Sequence, residues 1–552
     1  MQRKPFRAPI VMYDDVIREE GSVSMKRVCL ALAAVALTVA YTGCATDEAA
    51  ADDTVVAIDS GSVRGVISGD YRSFAGIPFA APPIGEHRWA PPQPVSPWTG
   101  VRAAEKPGPA CMQPQSDAAP VEMSEDCLYL NVTTPRAARD LPRPVLVWLH
   151  GGGFFEGQGA EYDARRLVGG GDVVVVTVNY RLGLFGLFHH PELGTQGGDF
   201  AIQDQQAALR WVRSNIARFG GDPRNVTVAG ESAGAMSTCT HLVAPGSAGL
   251  FDKAIIASGS CTMSWPKNSL IPGMPEVAPW LPAAEAQTTG VTVGTEHGCA
   301  DGRAALDCLR AVPTEALMDA FTDFTRVSYG TATVPTEPSA ALRTGEFARV
   351  PIMQGNTRDE HSSWAAAAQM EQPIDRDRYG ALLVAMFDDR AARVEAQYPV
   401  DDYASPAAAL SAVLTDRTWL CPTLRANAEL AERTTVYGFE FADRAAPPIA
   451  AFPPEVPPGA SHGSDLSYLF DVSGVGSATA LDPAQLQLSD RMIAYWTRFA
   501  ATGDPNTTDL PPWQPFRTSD QVPYVQSLAP EKIGPVDLAT EHRCHFWQEQ
   551  TR

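Results

Sequence analysis

Neither HExxH nor CxxC occurs anywhere in the 552 residues, and no segment repeats. The spacings by which a chain announces a zinc site are therefore missing, and neither a metal nor another cofactor is expected. Beyond the apolar run VCLALAAVALTVAY near the N-terminus there is no second long apolar stretch, which excludes a polytopic membrane protein. Charged residues are few, at 19%, and the balance is acidic. A net charge of −21 spread through the chain argues against nucleic acid as a partner and mainly favours solubility. Apolar residues are plentiful at 45%, ample for an extensive core. The 46 prolines and 45 glycines punctuate long loops between core elements.

The N-terminal run is an address. Met25-Lys26-Arg27 gives a basic start to an apolar stretch too short for a transmembrane helix, so residues 25–43 read as a signal peptide. Asp14, Asp15, Glu19 and Glu20 are wrong for such a start, so residues 1–24 read as a non-native extension, with translation beginning at Met25. The run ends at Tyr41-Thr42-Gly43-Cys44 and passes into ATDEAAADD, which resembles a bacterial lipoprotein cleavage site with a tether over residues 44–54. Tyr41 stands where leucine is usual. Two destinations follow: a cell envelope, with the chain membrane-attached through a lipidated Cys44, or plain secretion.

Between Asn225 and Ala235 the chain reads NVTVAGESAGA, a short β-branched run breaking into Gly230-Glu231-Ser232-Ala233-Gly234 and then into helix formers. This is the pattern of a nucleophile elbow, in which a tight strand-to-helix turn lifts the central side chain clear of both elements. The following helix points backbone N–H groups at any negative charge that develops there. G-x-S-x-G occurs a second time, at Gly459-Ala460-Ser461-His462-Gly463. Its approach, AAPPIAAFPPEVPPGA, holds prolines that cannot sit in a central strand, so Ser461 falls on a loop and is a poor nucleophile.

A serine hydroxyl needs a base, and the base needs a third group to fix its tautomer. In this fold the order along the chain is serine, acid, histidine, so only His241, His297, His361, His462, His542 and His545 compete. His241 lies on the helix leaving the elbow, His297 sits in a Cys-bounded segment, and His542 and His545 flank Cys544 at the C-terminus; none of these suggests a site. His462 stands in a Pro/Gly-rich loop opening on the helical run DLSYLF, a segment able to lay an imidazole across a strand edge. For the acid, RVPIMQGNTRDEHSSW reads as a buried strand ending at Gly355, with Asp359 and Glu360 on the loop beyond; on spacing alone either carboxylate serves. Upstream, RPVLVWLHGGGFFEG is an apolar strand, Val145 to Leu149, running into His150-Gly151-Gly152-Gly153-Phe154. No Lys-Ser/Thr follows, so this is an oxyanion-hole loop and not a P-loop. An unperturbed histidine base, with pKa about 6.5, predicts activity declining below about pH 6.

These residues resemble the type-B carboxylesterase family, the cholinesterase-like branch of the α/β-hydrolases, from about Val55 to Trp547. The specific segments are FAGIPFAAPPIGEHRWAPPQP, SEDCLYLNV, HGGGFFEG, NYRLG, QDQQAALRWVRSNIARFGGDPRNVTVAGESAGA, Gly355 to Glu360, HGSDLSYLF and YWTRFAATGDPN. The resemblance implies an α/β-hydrolase fold: a mostly parallel central sheet flanked by helices, with long loop and helical insertions. It makes residues 55–552 one catalytic domain, where length alone suggests two or three. Carried over by position, it makes Ser232 the nucleophile, Glu360 the acid and His462 the base. Gly152, Gly153 and Ala233 become the oxyanion donors, Arg88 and Glu125 a buried structural ion pair, and Ser258 a supporting serine near the acid.

Two departures stand out. His361 follows Glu360 where the family usually has glycine, which implies a differently shaped acid loop. The segment CMQPQSDAAPVEMSEDC, from Cys111 to Cys127, has no tryptophan to serve as a cation-binding platform, so cholinesterase activity is not expected. Disulfides persist only outside the reducing cytosol, so export makes the cysteines interpretable. The resemblance pairs Cys111 with Cys127, Cys299 with Cys308, and Cys421 with Cys544. Cys239 and Cys261 are left either as a fourth bond or as buried thiols. The reading is a secreted or lipid-anchored serine carboxylesterase that takes small-molecule esters through an acyl-enzyme. Its alternatives are a catalytically silent surface binding protein, and an amide or lactone hydrolase with the same machinery.

Overall fold

Two apolar runs, RPVLVWL and VVVTV, become neighbouring strands at the middle of an eleven-stranded sheet in the computed structural model. The structure describes residues 52–550 apart from 116–120, 138, 271, 300–303 and 473–479. The expected extension 1–24, the signal peptide 25–43, Cys44 and the tether up to residue 51 lie outside the described residues. From Thr54 onward, the segment 115–120 aside, the chain gathers into one compact unit.

The central strands are β1 (Arg143–Leu149), β2 (Val174–Val178), β3 (Gly221–Glu231), β4 (Lys253–Ala257), β5 (Ile352–Thr357), β6 (Val436–Phe441) and β7 (Val525–Leu528). They lie in the order β7-β6-β5-β4-β3-β1-β2, each pair parallel. Antiparallel strands extend both edges, through Ile533–Val536 beside β7 and through Tyr129–Pro135, Tyr71–Pro78 and Val66–Ser68 beyond β2. A parallel sheet covered on both faces wants continuous apolar strands, which β1 and β2 supply by being buried at every position. Tyr129–Pro135, nearer the edge, alternates instead.

The period of two divides the interior. Val145, Val147 and Leu149 enter one hydrophobic core, and Leu146 and Trp148 enter the other. On the first face lie helices α1 (Phe200–Asn215) and α2 (Ala233–Val243). On the second lies α3 (Pro483–Thr502), whose Trp496 meets Phe439 of β6 edge-on at 5.2 Å. The ends of α3 are written in sequence: Asp482 and Gln485 form a capping box, proline follows at the first helical position, and Gly503 closes the helix at φ 79°. Such a cap is worth about 1 kcal/mol over alanine.

Strand β5 runs two residues past Gly355, because Asn356 and Thr357 still pair with Glu440 and Phe441. DLSYLF gives only a single 3-10 turn, Leu466–Tyr468. All three disulfides implied by the resemblance are present, and Cys239–Cys261 is bonded as well. Four disulfides place the folded chain in an oxidising compartment and hence among exported proteins. Cys421–Cys544 spans 123 residues, worth about 4–5 kcal/mol in chain-entropy terms. Among the described residues no helix is long and apolar enough to cross a membrane.

Candidate active site

Every functional segment leaves the sheet at the C-terminal ends of parallel strands, where α/β sheets gather their ligands. Strand β3 ends at Glu231, α2 begins at Ala233, and Ser232 between them adopts φ 55° and ψ −120°. For a residue with a side chain this is a strained conformation, the mark of the elbow. The flanking glycines are required by close approach. A Cβ on Gly230 would stand 2.4 Å from the Gly234 carbonyl group, and one on Gly234 would stand 2.0 Å from the Leu149 oxygen.

His462 arrives on the loop after β6, and its Nδ1 lies 2.5 Å from Glu360 Oε2. The other oxygen of Glu360 accepts from the Asn356 side-chain amide (3.1 Å) and the Thr357 N–H (2.9 Å). With a carboxylate at Nδ1 that nitrogen keeps its proton, which leaves Nε2 to accept another. Nε2 lies 3.2 Å from Glu231 Oε1 without hydrogen-bond alignment, so it hangs beside the elbow uncommitted. Asp359 faces elsewhere. It takes the Arg444 guanidinium through both oxygens and the Ala460 N–H, so it clamps the histidine loop to the acid loop. The Pro/Gly-rich histidine loop is thus pinned, and His462 is buried.

Burial alone would lower the His462 pKa, but Glu231, Glu360 and Asp465 around the ring outweigh it and push the value up to about 9. Burial raises Glu231 to about 8 and Asp465 to about 7. Among the groups that push His462 up, Glu231 acts most strongly, followed by Glu360, which also hydrogen-bonds the ring.

After β1 the chain turns through Gly152 (φ 93°), Gly153 (φ 59°) and Phe154 (φ 63°), left-handed values that glycine adopts without strain. A Cβ on Gly151 would stand 3.2 Å from that of Ser232, so this loop passes directly over the elbow. The Gly151 N–H donates to the Tyr162 hydroxyl at 3.3 Å. His150 is structural: its ring stacks on Tyr180 at 4.2 Å, and burial lowers its pKa to about 4.

The other expected residues fall as follows. Ser258, at φ 52°, donates its N–H to the Gly355 carbonyl, but its buried hydroxyl has no hydrogen-bond partner among the described residues and does not bond the acid. Ser461 is buried on the loop with no helix N-terminus behind it. Arg88, buried, and Glu125, partly buried, form the expected pair, joined twice, at 2.8 and 2.5 Å. His241 is fixed between Ser247 and Gln205, and His545 is exposed. His542 is no loose tail residue: it sits between Asp416 (2.6 Å) and Glu440 (2.8 Å). Glu231, Asp465 and Asn356 escape the sequence reading; an acidic residue inside the elbow is a signal for Glu231 alone, and nothing local marks the other two.

A strained serine between strand and helix, a glycine-rich loop above it and a histidine–carboxylate pair beside it, on the C-terminal edge of a parallel sheet, define an α/β-hydrolase. Residues 52–547 match the model of the carboxylesterase family. A cocaine esterase of Homo sapiens is 32% identical, with 88% of each chain covered. A pyrethroid hydrolase of Rattus norvegicus is 31% identical, over 86% of this chain and 85% of its own. An acetylcholinesterase of Bungarus fasciatus is 31% identical, over 90% and 86%. The chain belongs to the carboxylesterase family and is a carboxylic ester hydrolase.

Proposed function

We propose that Ser232, His462 and Glu360 act as the triad of a broad carboxylesterase working through an acyl-enzyme. The observation that carries this reading is the buried 2.5 Å contact of His462 Nδ1 with Glu360, which frees Nε2 beside the elbow. Nε2 takes the proton of Ser232 as its oxygen attacks the ester carbonyl, and Glu360 stabilises the imidazolium. The N–H groups of Gly152, Gly153 and Ala233 hold the tetrahedral oxyanion, each such donor contributing on the order of a hundred- to thousandfold in rate. The alcohol leaves with the proton returned by His462, and water then repeats the cycle on the acyl-enzyme. Its substrates are uncharged small-molecule esters, since the segment from Cys111 to Cys127 offers no tryptophan face to a quaternary ammonium. Rates over a panel of nitrophenyl esters of increasing acyl length, with acetylthiocholine beside them, test this: the neutral esters turn over and the choline ester does not, and preference for the choline ester would refute it.

The pH profile follows from the carboxylates. A base must be unprotonated to accept, so kcat/KM rises with pH through the pKa of His462. Because that pKa is raised, the acid limb is expected between about 6.5, the unperturbed value, and the raised value of about 9, higher than histidine alone suggests. Rates measured from about pH 5 to about pH 10 check this, and a midpoint at or below about 6 would contradict it.

The address supports a further reading: Cys44, after the apolar run and before the acidic tether, is lipidated and holds the protein on a membrane. Cys44→Ser should move the protein from the membrane to the soluble fraction of expressing cells. Equal solubility of both forms, with a mature N-terminus beyond Cys44, would sink this reading and leave plain secretion.

A further inference from the structure

Carboxylates are not all that holds His462. The indole of Trp419 lies 4.8 Å from the imidazole, centre to centre, tilted by 46°, and that of Trp364 lies at 5.0 Å and 58°. The two indoles meet at 5.4 Å, and Trp265 stands edge-on to Trp419 at 5.8 Å. His361, the residue where glycine is usual, completes the group: it stacks on Trp364 at 5.1 Å and takes the Trp419 indole N–H on its Nδ1 at 3.3 Å. Indole only donates, so His361 must be neutral there, and its burial agrees by pushing its pKa down to about 3.

These rings come from three stretches, around Trp265, His361–Trp364 and Trp419, each anchored. Trp419 belongs to a π-helical turn, Thr415–Leu420, a local widening that re-aims side chains and recurs at functional sites. Two residues on, Cys421 is bonded to Cys544; four residues before Trp265, Cys261 is bonded to Cys239 of α2. The anchored stretches are tied together directly. Thr262 Oγ1 donates to the Pro422 carbonyl at 2.7 Å, and Arg425 donates to the Thr262 carbonyl at 2.9 Å. The His361 N–H donates to Thr415 Oγ1 at 3.0 Å, which fixes the acid loop against the same turn.

We propose that Trp419, oriented by His361, is a positioning residue that keeps the His462 imidazole aligned between Glu360 and Ser232. The inference rests on His462 being the base. Glu360 fixes one nitrogen of the ring but leaves it free to swing about that bond, and the Trp419 indole, in ring contact at 4.8 Å, restricts that swing. The indole centre, 4.8 Å from the imidazole, also lies within the roughly 6 Å over which an indole attracts a cation, so it favours the ring once it is protonated. A displacement of about 1 Å in a reacting group costs on the order of a hundredfold in rate.

Trp419→Leu is therefore expected to lower kcat, counted per site titrated with a fluorophosphonate, by roughly ten- to a hundredfold while KM changes less than about threefold. Trp419→Phe, which keeps a ring face, should stay within about threefold of the parent in kcat. A merely structural role would reduce the number of titrated sites and leave kcat per site unchanged, and that result would overturn the proposal. If Trp419→Leu does not accumulate, His361→Leu removes the acceptor of the indole N–H together with the ring stacked on Trp364, leaving Trp419 itself in place: a smaller loss in kcat at constant KM supports the proposal, and unchanged kcat overturns it. His462→Ala separates this from the assignment beneath it. Full activity there would remove the base itself, whereas an inactive His462→Ala beside an unimpaired Trp419→Leu would remove the positioning role alone.

Discussion

Ser232→Ala should lower kcat by a factor on the order of a hundred-thousandfold and abolish fluorophosphonate labelling. The reason is positional. Among the described residues Ser232 alone stands at φ 55° between a strand and a helix N-terminus, with the Gly151–Gly153 loop over it and a histidine nitrogen 3.2 Å from its neighbour Glu231. Alanine adopts the same strained backbone at no further cost, so the fold should survive and the loss should be chemical. In the parent, peptide mapping should find the label on Ser232 stoichiometrically and none on Ser461, which is buried on a loop with no helix N-terminus to stabilise an oxyanion. Label on Ser461, or full activity in the variant, would overturn the mechanism.

Glu360→Gln should lower kcat roughly a thousandfold, and the hydrogen bonds say how. Oxygen Oε1 is held by two donors, Asn356 and Thr357, so the glutamine carbonyl would stay there and its amide would turn to His462. An amide donates. The imidazole would then accept at Nδ1 and carry its proton on Nε2, the tautomer that cannot deprotonate serine. Asp359→Asn, by contrast, weakens a pair with the largely exposed Arg444 and should cost less than about tenfold, because exposed ion pairs contribute at most about 1 kcal/mol. Steady-state rates beside thermal unfolding of both variants check the ranking, and the reverse order would remove Glu360 from the triad.

The sequence made the elbow legible because its requirement is local: glycines two before and two after a serine, at a strand end, answer to contacts of 2.0 and 2.4 Å that lie within a few residues or one neighbouring strand. The run from Val145 to Leu149 in β1 was legible because burial on both faces keeps it apolar throughout. Glu360 and Asp359 could not be separated by spacing, because adjacent loop residues point apart and only Arg444, 85 residues from Asp359, reveals which one faces away. Cys239–Cys261 stayed open because bonding depends on two elements meeting in space. His542 read as a tail residue, though Asp416 and Glu440 enclose it, partners 126 and 102 residues distant. Trp419 gave no signal at all: a tryptophan in a helical stretch is ordinary core until the π turn aims it.

The Cys421–Cys544 bond closes a covalent ring of chain on which His462 lies, while Ser232 and Glu360 lie outside it. The approach to His462 runs along this ring and is exposed at Ala451, Pro454 and Glu455. A protease cutting there opens the backbone without producing fragments that can diffuse apart, because both new ends remain on one molecule joined through sulfur. Ser232 and Glu360, the proposed nucleophile and acid, would then sit on one piece and His462, the proposed base, on the other, still tethered, and only a reductant would turn a nicked enzyme into two separable chains.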